Sequence, residues 1–230
     1  MLAAFSLSGY DQGMENNFCP LCDSRETGLF CVRTDGGLGV RDYFKCPACH
    51  LVFLSPEDRL GAEEEKKRYD SHQNDPADER YLKFLNQLAA PLSVRLTPGA
   101  SGLDFGCGPG PAMSSLFRAE GHAMEDYDPL YRPRTELLGR PYDFVTCSEV
   151  VEHFYEPQRE FLLLDGLLSQ GSFLGVMTCI LEEERAFDSW WYPRDPTHVS
   201  FYQKKTFEWI AAWRNWKIEF PAPNVAIFQK

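Results

Sequence analysis

The chain has 230 residues, which is enough for the core of one ordinary domain and a small appended module. Its 34 acidic residues outnumber its 23 lysines and arginines and give a net charge of −11, which disfavours nucleic acid and anionic membrane surfaces as partners. No apolar run is long enough to span a bilayer, and residues 1–11 lack the pattern of a signal peptide. We therefore expect a cytoplasmic protein without a membrane partner.

Four of the eight cysteines lie in two Cys-x-x-Cys pairs with 23 residues between them. Each pair can place two thiolates on one tight turn, and two such turns facing each other form the four-sulfur tetrahedron that Zn²⁺ prefers. Strands predicted at 29–34, 41–45 and 50–54 complete a pattern that resembles a zinc ribbon. We therefore predict a ribbon over residues 17–55 and one structural Zn²⁺ held by Cys19, Cys22, Cys46 and Cys49.

Two alternatives to a structural ribbon have less support. A thioredoxin-like redox site needs a Cys-x-x-Cys pair that opens a helix in a βαβ unit, and neither pair has that context. A ribbon that binds nucleic acid needs a basic surface, whereas residues 19–55 carry four acidic and four basic side chains.

Two helical patterns follow the ribbon. Residues 56–71 are rich in Glu, Lys and Arg and predict a solvated helix, and residues 78–92 predict an amphipathic helix. We assign residues 56–79 to a helical linker and residues 80–230 to the main domain.

An apolar run at 103–105 ends in three alternating glycines, Gly106, Gly108 and Gly110, and Pro111 follows them. Glycine adopts positive φ without a Cβ clash and lets a ligand approach the backbone, and proline suits the first position of a helix. The pattern predicts a strand, a ligand-binding turn and a helix. A dinucleotide fingerprint would need its third glycine at position 111, and a glycine-rich turn without a ligand is a further alternative.

The rest of the chain alternates helices with strands, as in an α/β protein with a doubly wound, mostly parallel sheet. The segment 130–141 is short, so the third strand of such a sheet and its helix must be abbreviated or missing. The predicted helices are 112–120, 157–168 and 206–213, and the predicted strands are 122–127, one starting at 142, 172–180, and a closing hairpin of 216–220 and 225–229, with a turn at 170–171.

Three places carry a resemblance to the class I S-adenosylmethionine-dependent methyltransferases, which have a Rossmann-like α/β fold with a reversed last strand. Asp104 and the glycines resemble motif I of that family, Asp128 ends the second strand, and residues 142–154 resemble methyltransferases of ubiquinone biosynthesis. The resemblance implies S-adenosylmethionine as cofactor, with the glycines at its methionine end and Asp128 at its ribose hydroxyls. The implied cofactor-binding residues are Tyr69, Asp104, Phe105, Gly106, Cys107, Gly108, Gly110, Asp128, Pro129, Ser148 and Glu149.

Tyr69, His72 and Asn74 lie just before the main domain. In this superfamily, aromatic and imidazole groups at that place often pack over the cofactor, and a contact between helices is the alternative.

The segment 181–205 is too aromatic for a simple connection. It follows the fifth strand at the edge of the sheet where ligands bind in such folds, so we expect it to line the acceptor pocket. Its side chains favour a ring-bearing or sugar-like acceptor. The predicted acceptor-binding residues are Trp190, Trp191, Tyr192, Arg194 and Tyr202.

Methyl transfer from a sulfonium is an in-line displacement, so a general base is needed only when the acceptor must lose a proton. His198 is the first candidate, with Asp195 to orient its ring, and His153 competes with it; a buried structural contact is the alternative for either. Glu149, Glu152 and His153 share one helical face, which either binds a divalent cation or makes cap and packing contacts.

The predicted function is methyl transfer to a small molecule. An RNA methyltransferase with a zinc ribbon is the alternative, against which stand the acidic charge and the neutral ribbon. A non-catalytic scaffold is the other alternative, against which stand the intact glycines and Asp128.

Overall fold

The computed structural model describes residues 18–35, 37–71, 78–182 and 187–230. His72 and Asn74, and the first residue of the predicted ribbon, lie outside these ranges. None of the helices in the described ranges is long and apolar enough to cross a membrane.

The secondary structure follows the predicted order with shifted boundaries. The ribbon contains β1 (Gly28–Asp35), β2 (Gly39–Lys45) and β3 (Val52–Leu54), and α1 (Ala62–Asp70) and α2 (Glu79–Ser93) follow. The main domain contains β4 (Ser101–Phe105), α3 (Ala112–Ala119), β5 (Ala123–Tyr127), β6 (Tyr142–Ser148), α4 (Pro157–Gly166), β7 (Leu168–Met177), β8 (Ser200–Phe201), α5 (Lys204–Arg214), β9 (Lys217–Ala222) and β10 (Val225–Gln229).

The main sheet has six strands in the order β5-β4-β6-β7-β10-β9. The first four strands are parallel, and β10 runs antiparallel to both of its neighbours. Between β5 and β6 the chain forms a 3-10 turn, Thr135–Gly139, where a third strand and helix would stand in a full doubly wound sheet. The predicted fold class and the missing third strand are therefore confirmed.

Helices cover both faces of this sheet. On one face, apolar side chains of α2 and α3 such as Leu88 and Phe117 pack with Phe144 of β6. On the other face, Phe161 of α4 and Phe207 of α5 join a second cluster with side chains of the sheet. The four parallel strands end together at one edge, which leaves the loops after β4, β5 and β6 side by side.

Two boundaries differ from the predictions for identifiable reasons. The solvated helix predicted at 56–71 is interrupted, because Pro56–Asp58 forms a separate 3-10 turn and Gly61 is the N-cap of α1. The turn predicted at 170–171 lies inside β7, where Gly171 has φ +86° and its N–H donates to the carbonyl of Lys230. Glycine permits that backbone conformation without ending the strand.

The ribbon shares a sheet with the main domain, which the sequence did not predict. The two-residue strand β8 pairs with β3 and completes a four-stranded antiparallel sheet in the order β1-β2-β3-β8. Cys19 and Cys49 also belong to the same buried cluster as Phe161 of α4. The ribbon therefore packs as part of the protein core, and the domain boundaries at 55 and 79 remain a prediction.

Candidate active site

A cavity of about 850 Å³ opens where the parallel strands end. All the residues predicted to bind the cofactor line it, as do both predicted catalytic histidines. These residues are Tyr69, Asp104, Phe105, Gly106, Cys107, Gly108, Gly110, Asp128, Pro129, Ser148, Glu149, His153 and His198.

The glycine loop begins immediately after β4. Gly106 has φ +79°, and a Cβ atom built there would lie 2.5 Å from Cγ2 of Val150. Gly108 also has positive φ, +62°, but faces open space. The N–H groups of Gly106 and Cys107 donate to the carbonyl of Tyr127 at 2.8 and 3.1 Å, so the loop is tied to the end of β5. Only glycine meets both the conformational and the steric requirement at position 106.

Asp128 stands at the end of β5 and is already engaged by the backbone. Its Oδ2 accepts a hydrogen bond from the N–H of Gly108 at 3.0 Å, and its Oδ1 accepts from the N–H groups of Leu130 and Tyr131 at 2.8 and 3.0 Å. An ionised carboxylate offers about four lone-pair sites. Asp128 is thereby held in a fixed orientation and keeps capacity for about one further hydrogen bond, from a ligand hydroxyl.

Asp104 lies at the base of the loop and is only 4% exposed. Its Oδ1 accepts a hydrogen bond from the hydroxyl of Thr146 at 2.8 Å. Burial raises the pKa of the Asp104 carboxyl to about 7. A buried carboxyl that lines the cavity and is half ionised at neutral pH is suited to meet a cationic group of a ligand.

At the other end of the cavity, Glu149, Glu152, His153 and His198 form what we call the Glu–His cluster. Glu149 follows β6 with φ +53°, and the fully buried Glu152 lies in the 3-10 turn Val151–His153. The hydroxyl of Tyr192 contacts Oε1 of Glu152 and lies 3.3 Å from Oε2 of Glu149. The hydroxyl of Thr178 donates to Oε2 of Glu152 at 3.0 Å. Both oxygens of Glu152 are therefore held by hydroxyl groups.

Backbone carbonyls orient the two histidines of the cluster. Nδ1 of His153 lies 3.0 Å from the carbonyl oxygen of Thr197, and Nδ1 of His198 lies 2.9 Å from that of Tyr192. Each Nδ1 must carry the hydrogen that it donates to a carbonyl, so Nε2 is left as the acceptor in both rings. The ring centroids are 4.9 Å apart. The cluster thus brings together two imidazole acceptors from distant parts of the chain.

The protonation of the cluster reflects its burial. Burial, followed by the neighbouring Glu152, raises the pKa of Glu149 to about 9. Burial also lowers the pKa of His198 to about 4. Both side chains are therefore neutral at pH 7 in this structure.

Asp195 does not orient His198, contrary to the prediction. Its Oδ2 accepts hydrogen bonds from Nε and Nη2 of Arg68 at 3.0 and 2.7 Å, and its Oδ1 accepts from the hydroxyl of Thr197 at 2.7 Å. The proline turn that follows Asp195 directs the carboxylate toward α1 and leaves the Tyr192 carbonyl as the partner of the His198 ring. The short distance in sequence between Asp195 and His198 therefore did not predict their actual hydrogen-bond partners, which are Arg68 for Asp195 and the Tyr192 carbonyl for the His198 ring.

Only part of the predicted acceptor-binding set reaches the cavity. We call residues 187–198 the acceptor wall; within it, Trp191 and Tyr192 line the cavity. Trp190 is instead buried in a cluster with Tyr43 and Phe201 of the ribbon sheet. Arg194 is exposed and does not line the cavity, and Tyr202 is buried, with its hydroxyl bonded to the carbonyl of Val151. The aromatic composition predicted that this segment lines the cavity, but it did not predict which of its side chains face the cavity.

Helix α1 closes one side of the cavity although none of its residues is buried. The ring of Tyr69 packs edge-on against His153 at 5.2 Å between centroids, and its hydroxyl donates to Oε1 of Glu65 at 3.0 Å. The carboxylate of Asp70 accepts a hydrogen bond from Tyr131 at 2.8 Å. Together with the ion pair of Arg68 and Asp195, these contacts link α1 to both ends of the cavity.

Sequence reasoning missed several apolar and aromatic side chains that line the cavity. They come from α2, α3, the end of β5 and the segments on both sides of β6. In sequence they carry the same 3.6-residue periodicity as core positions, so no signal separates a residue that faces a cavity from one that faces the core. These residues include Tyr81, Phe84, Leu85, Met113, Tyr127, Leu138 and Tyr155.

The four cysteines of the ribbon converge as predicted. The Sγ atoms of Cys19 and Cys49 are 3.4 Å apart, those of Cys22 and Cys46 are 3.5 Å apart, and all four lie within 4.8 Å of one another. Four sulfurs at the usual distance of about 2.3 Å from a tetrahedral zinc ion are separated by about 3.8 Å. The cluster is therefore compatible with a zinc site.

The two cysteine turns have the same local geometry. Each contains proline after its first cysteine, and the residue after its second cysteine, Asp23 or His50, has positive φ of 57° or 61°. In each turn the N–H of that residue donates to the carbonyl of the first cysteine. His50 is thus a structural residue of the turn rather than a metal ligand.

A family model described as a methyltransferase domain matches residues 69–219. The 1,6-didemethyltoxoflavin-N1-methyltransferase of Burkholderia thailandensis, with 1,6-didemethyltoxoflavin and S-adenosylhomocysteine bound, is similar over 83% of this chain and 95% of its own, at 12% identity and TM-score 0.53. A Galdieria sulphuraria protein assigned as a sarcosine dimethylglycine methyltransferase is similar over 69% of this chain and 76% of its own, at 17% identity and TM-score 0.51.

At such identities the two solved structures show a shared fold. A comparison with curated proteins finds no match. The family match covers well over half of the chain and includes the glycine loop, the Glu–His cluster and the acceptor wall. The chain therefore belongs to the methyltransferase-domain family and is an S-adenosylmethionine-dependent methyltransferase with the class I fold.

Proposed function

We propose that this enzyme methylates a small, ring-bearing or sugar-like molecule in the cytoplasm. The observation that carries the proposal is the cavity of about 850 Å³ that joins the glycine loop to the Glu–His cluster and the aromatic side chains of the acceptor wall. This volume falls within the range of about 300–1,000 Å³ typical of small-molecule sites. A cavity of this size accommodates the cofactor and a small acceptor together.

The charge of the cavity supports an acceptor without phosphate groups. Carboxyl side chains line it from both ends, and in the described part of the chain they outnumber the single lining arginine, Arg159. Desolvating a phosphate among carboxylates is unfavourable, whereas the sulfonium and ammonium groups of the cofactor are attracted. The carboxyl groups in question belong to Glu65, Asp104, Asp128, Glu149, Glu160 and Asp195.

In the proposed reaction the protein mainly aligns its two ligands. The glycine loop and Asp128 would hold the cofactor, with Asp104 near its cationic end. Trp191 and Tyr192 would bind the acceptor so that its reacting atom faces the Glu–His cluster. Alignment of this kind supplies much of the rate in an in-line displacement.

The Glu–His cluster fits a divalent cation better than it fits an isolated general base. Glu152, His153 and His198 offer ligand atoms within 4.8 Å of one another. Both histidines donate Nδ1–H to backbone carbonyls, which is the usual arrangement of metal-ligating histidines. A cation held there would lower the pKa of a bound acceptor hydroxyl. We therefore propose Glu152, His153 and His198 as ligands, the two histidines through Nε2, with Glu149 beside them.

The cysteine cluster is proposed to hold a structural Zn²⁺. The four cysteine sulfurs would fill all four coordination positions of a tetrahedral zinc ion, which leaves no open position for a substrate. A cluster of four reduced thiolates also agrees with the proposed cytoplasmic location.

The test is to incubate the protein with methyl-labelled S-adenosylmethionine and an extract of its host, and then to separate small molecules from RNA. We expect label in the small-molecule fraction, with more label when Mg²⁺ or Mn²⁺ is added and none in EDTA at a concentration that leaves the zinc of the cysteine cluster in place. The matched variant is Glu152→Gln, which keeps the shape of the side chain and removes its negative charge, and its label should no longer depend on the added cation.

Three results would contradict parts of the proposal. Label in RNA alone would favour the RNA methyltransferase. Cofactor binding without any label transfer would favour the non-catalytic scaffold. Full transfer in EDTA would exclude the cation and return His198 to the role of general base.

A further inference from the structure

Two arginines of the ribbon are buried, and their side chains extend from the ribbon toward the acceptor wall. Arg33 of β1 is 4% exposed and Arg41 of β2 is 3% exposed. The two residues are directly opposite each other in the antiparallel pairing of β1 with β2. Arginine is rarely buried to this degree unless its guanidinium is hydrogen-bonded.

Both guanidinium groups bind backbone carbonyls of the acceptor wall. Nη1 of Arg33 donates to the carbonyls of Phe187 and Trp190, the latter at 3.0 Å. Nη2 of Arg41 donates to the carbonyl of Pro193 at 2.6 Å. Hydrogen bonds from a charged donor are stronger than neutral ones, and these three fall within seven consecutive residues of the wall.

The wall depends on such partners because most of its backbone lies outside regular secondary structure. Residues 187–189 form a turn, residues 190 and 191 belong to no helix or strand, and the 3-10 turn Tyr192–Arg194 follows. A buried carbonyl outside a helix or sheet needs another donor, and the ribbon arginines supply it for the carbonyls of Trp190 and Pro193. They bind the wall on both sides of Trp191 and Tyr192, the two side chains of the wall that face the cavity ahead of Asp195.

The ribbon also holds the end of the wall. The N–H of Leu54 donates to the carbonyl of Val199 at 2.9 Å, and Val52 pairs with Phe201. His198, the last residue of the wall, directly precedes this attachment. The ribbon therefore holds the acceptor wall at Phe187, Trp190 and Pro193, and it also holds Val199, which directly follows the wall.

The cofactor half of the cavity is attached differently. The glycine loop is tied to the end of β5, and Asp128 is tied to Gly108, Leu130 and Tyr131. Among the described residues, none between 18 and 55 lines the cavity. The ribbon can thus influence the acceptor end without touching either ligand.

We propose that Arg33 and Arg41 are positioning residues through which the ribbon sets the shape of the acceptor pocket. They hold the wall in the conformation that presents Trp191, Tyr192 and His198 to the cavity. The inference rests on the proposed function only in naming the occupant of this pocket an acceptor. The mechanical link between ribbon and wall stands on the contacts themselves.

Hydrogen exchange of the full-length protein tests the link without any knowledge of the acceptor. In Arg41→Met and Arg33→Met, we expect amides of peptides covering 187–199 to exchange about 10-fold faster, because opening of the wall becomes less costly. Peptides covering 101–119 should keep their exchange rates, and the Kd for S-adenosylhomocysteine should stay within about twofold, since the cofactor half has its own attachments. Arg41→Lys keeps a charged donor and should restore part of the protection.

Arg25→Met is the matched control, because Arg25 is an exposed ribbon residue whose guanidinium lies over the ring of Phe18. It should leave exchange of the wall unchanged. Unchanged exchange of 187–199 in both Met variants would overturn the proposal, as would equal acceleration over 101–119. If the Met variants fail to fold, Arg33→Lys and Arg41→Lys give the same decision at smaller amplitude.

Once an acceptor is known, the Arg41→Met variant should raise its KM about 10-fold with a smaller change in kcat, since uniform binding is lost. Failure of the exchange experiment would refute the positioning role alone. Failure to find any acceptor would refute the proposed function and leave the exchange result unaffected.

Discussion

The cofactor half and the acceptor half of the cavity are built in different ways. The glycine loop is a single stretch, residues 106–110, whose conformation is set by its own glycines and by the end of the neighbouring strand. The acceptor half combines residues of α1, the turn after β6 and the acceptor wall, which are far apart in the chain. Changes in local residues should therefore damage cofactor binding directly, whereas the acceptor half should respond to changes in distant elements.

The largest expected effect follows from removing the zinc ion that we propose for the cysteine cluster. Structural zinc contributes a free energy on the order of 10 kcal/mol to folding its site, and a ribbon of this size buries too little apolar surface to fold alone. Chelation or Cys49→Ser should abolish protection from hydrogen exchange in residues 18–55 first, and then in the wall, before residues 101–127 are affected.

Elemental analysis of protein prepared without chelator should find one zinc ion per chain. Absence of zinc together with four freely reactive thiols would contradict this prediction. Cys147→Ser is a suitable control, because Cys147 is buried in the main domain and is not part of the cysteine cluster.

The next effect concerns the acceptor half alone. His198→Ala should lower the rate of methyl transfer by roughly 10²-fold to 10⁴-fold, because an imidazole that binds a cation or accepts a proton acts on the reacting group. The affinity for S-adenosylhomocysteine, measured by calorimetry, should be nearly unchanged.

His153→Ala provides the comparison, since both rings are fixed in the same manner by backbone carbonyls. Equal losses in the two variants would support a shared site. A wild-type rate in His198→Ala would exclude His198 from catalysis.

In the cofactor half, Asp128→Ala should weaken cofactor binding by about 1.5–3 kcal/mol, the usual range for hydrogen bonds to a charged group. Part of this loss would come from release of the loop, because Asp128 also holds the N–H of Gly108. Asp128→Asn keeps a carbonyl oxygen for the N–H groups of Leu130 and Tyr131, so the difference between the Asn and Ala variants gives the contribution of these two backbone contacts.

Calorimetry with S-adenosylhomocysteine measures the cofactor affinity of the wild type and of the Asp128 variants. Unchanged affinity in Asp128→Ala would mean that Asp128 serves the loop and not the ribose.

The smallest effect is a pH dependence that should be confined to the cofactor half. Burial raises the pKa of Asp104 to about 7, so the carboxyl is mostly neutral at pH 6 and mostly ionised at pH 7.5. Because the ionised form attracts the ammonium group of the cofactor, affinity should rise with pH over this interval by about 10-fold. Asp104→Asn should bind weakly and show little of this dependence; the same pH profile in the variant would assign the titration to another group.

The contrast between the two halves also explains which features could be predicted from the sequence. The glycine loop, Asp128 and the cysteine pairs can each be recognised in a short stretch of sequence, and the family resemblance implied the roles of the loop and of Asp128. The missing third strand followed from the length of one connection. All of these are properties of short segments.

The acceptor half was predicted only as a segment. Trp190 and Trp191 are neighbours with the same chemistry, yet one is buried under the ribbon and the other lines the cavity with 60% of its surface exposed. The difference arises from packing against Tyr43 and Phe201, which no local pattern reveals. The ion pair of Asp195 with Arg68 was missed for the same reason, since the two residues are 127 positions apart in the chain.

The pairing of β3 with β8 has a consequence for the synthesis of the chain. It joins residues about 150 positions apart, so the ribbon sheet lacks its last strand until residues 200–201 have left the ribosome. Contacts of such long range form late, and an unpaired apolar strand edge exposed in the meantime favours association with other chains. The four cysteines of the cysteine cluster are all synthesised before residue 50. We therefore expect metal binding to protect the nascent ribbon during this interval. The acceptor wall therefore takes its final shape only after the ribbon sheet has gained its last strand.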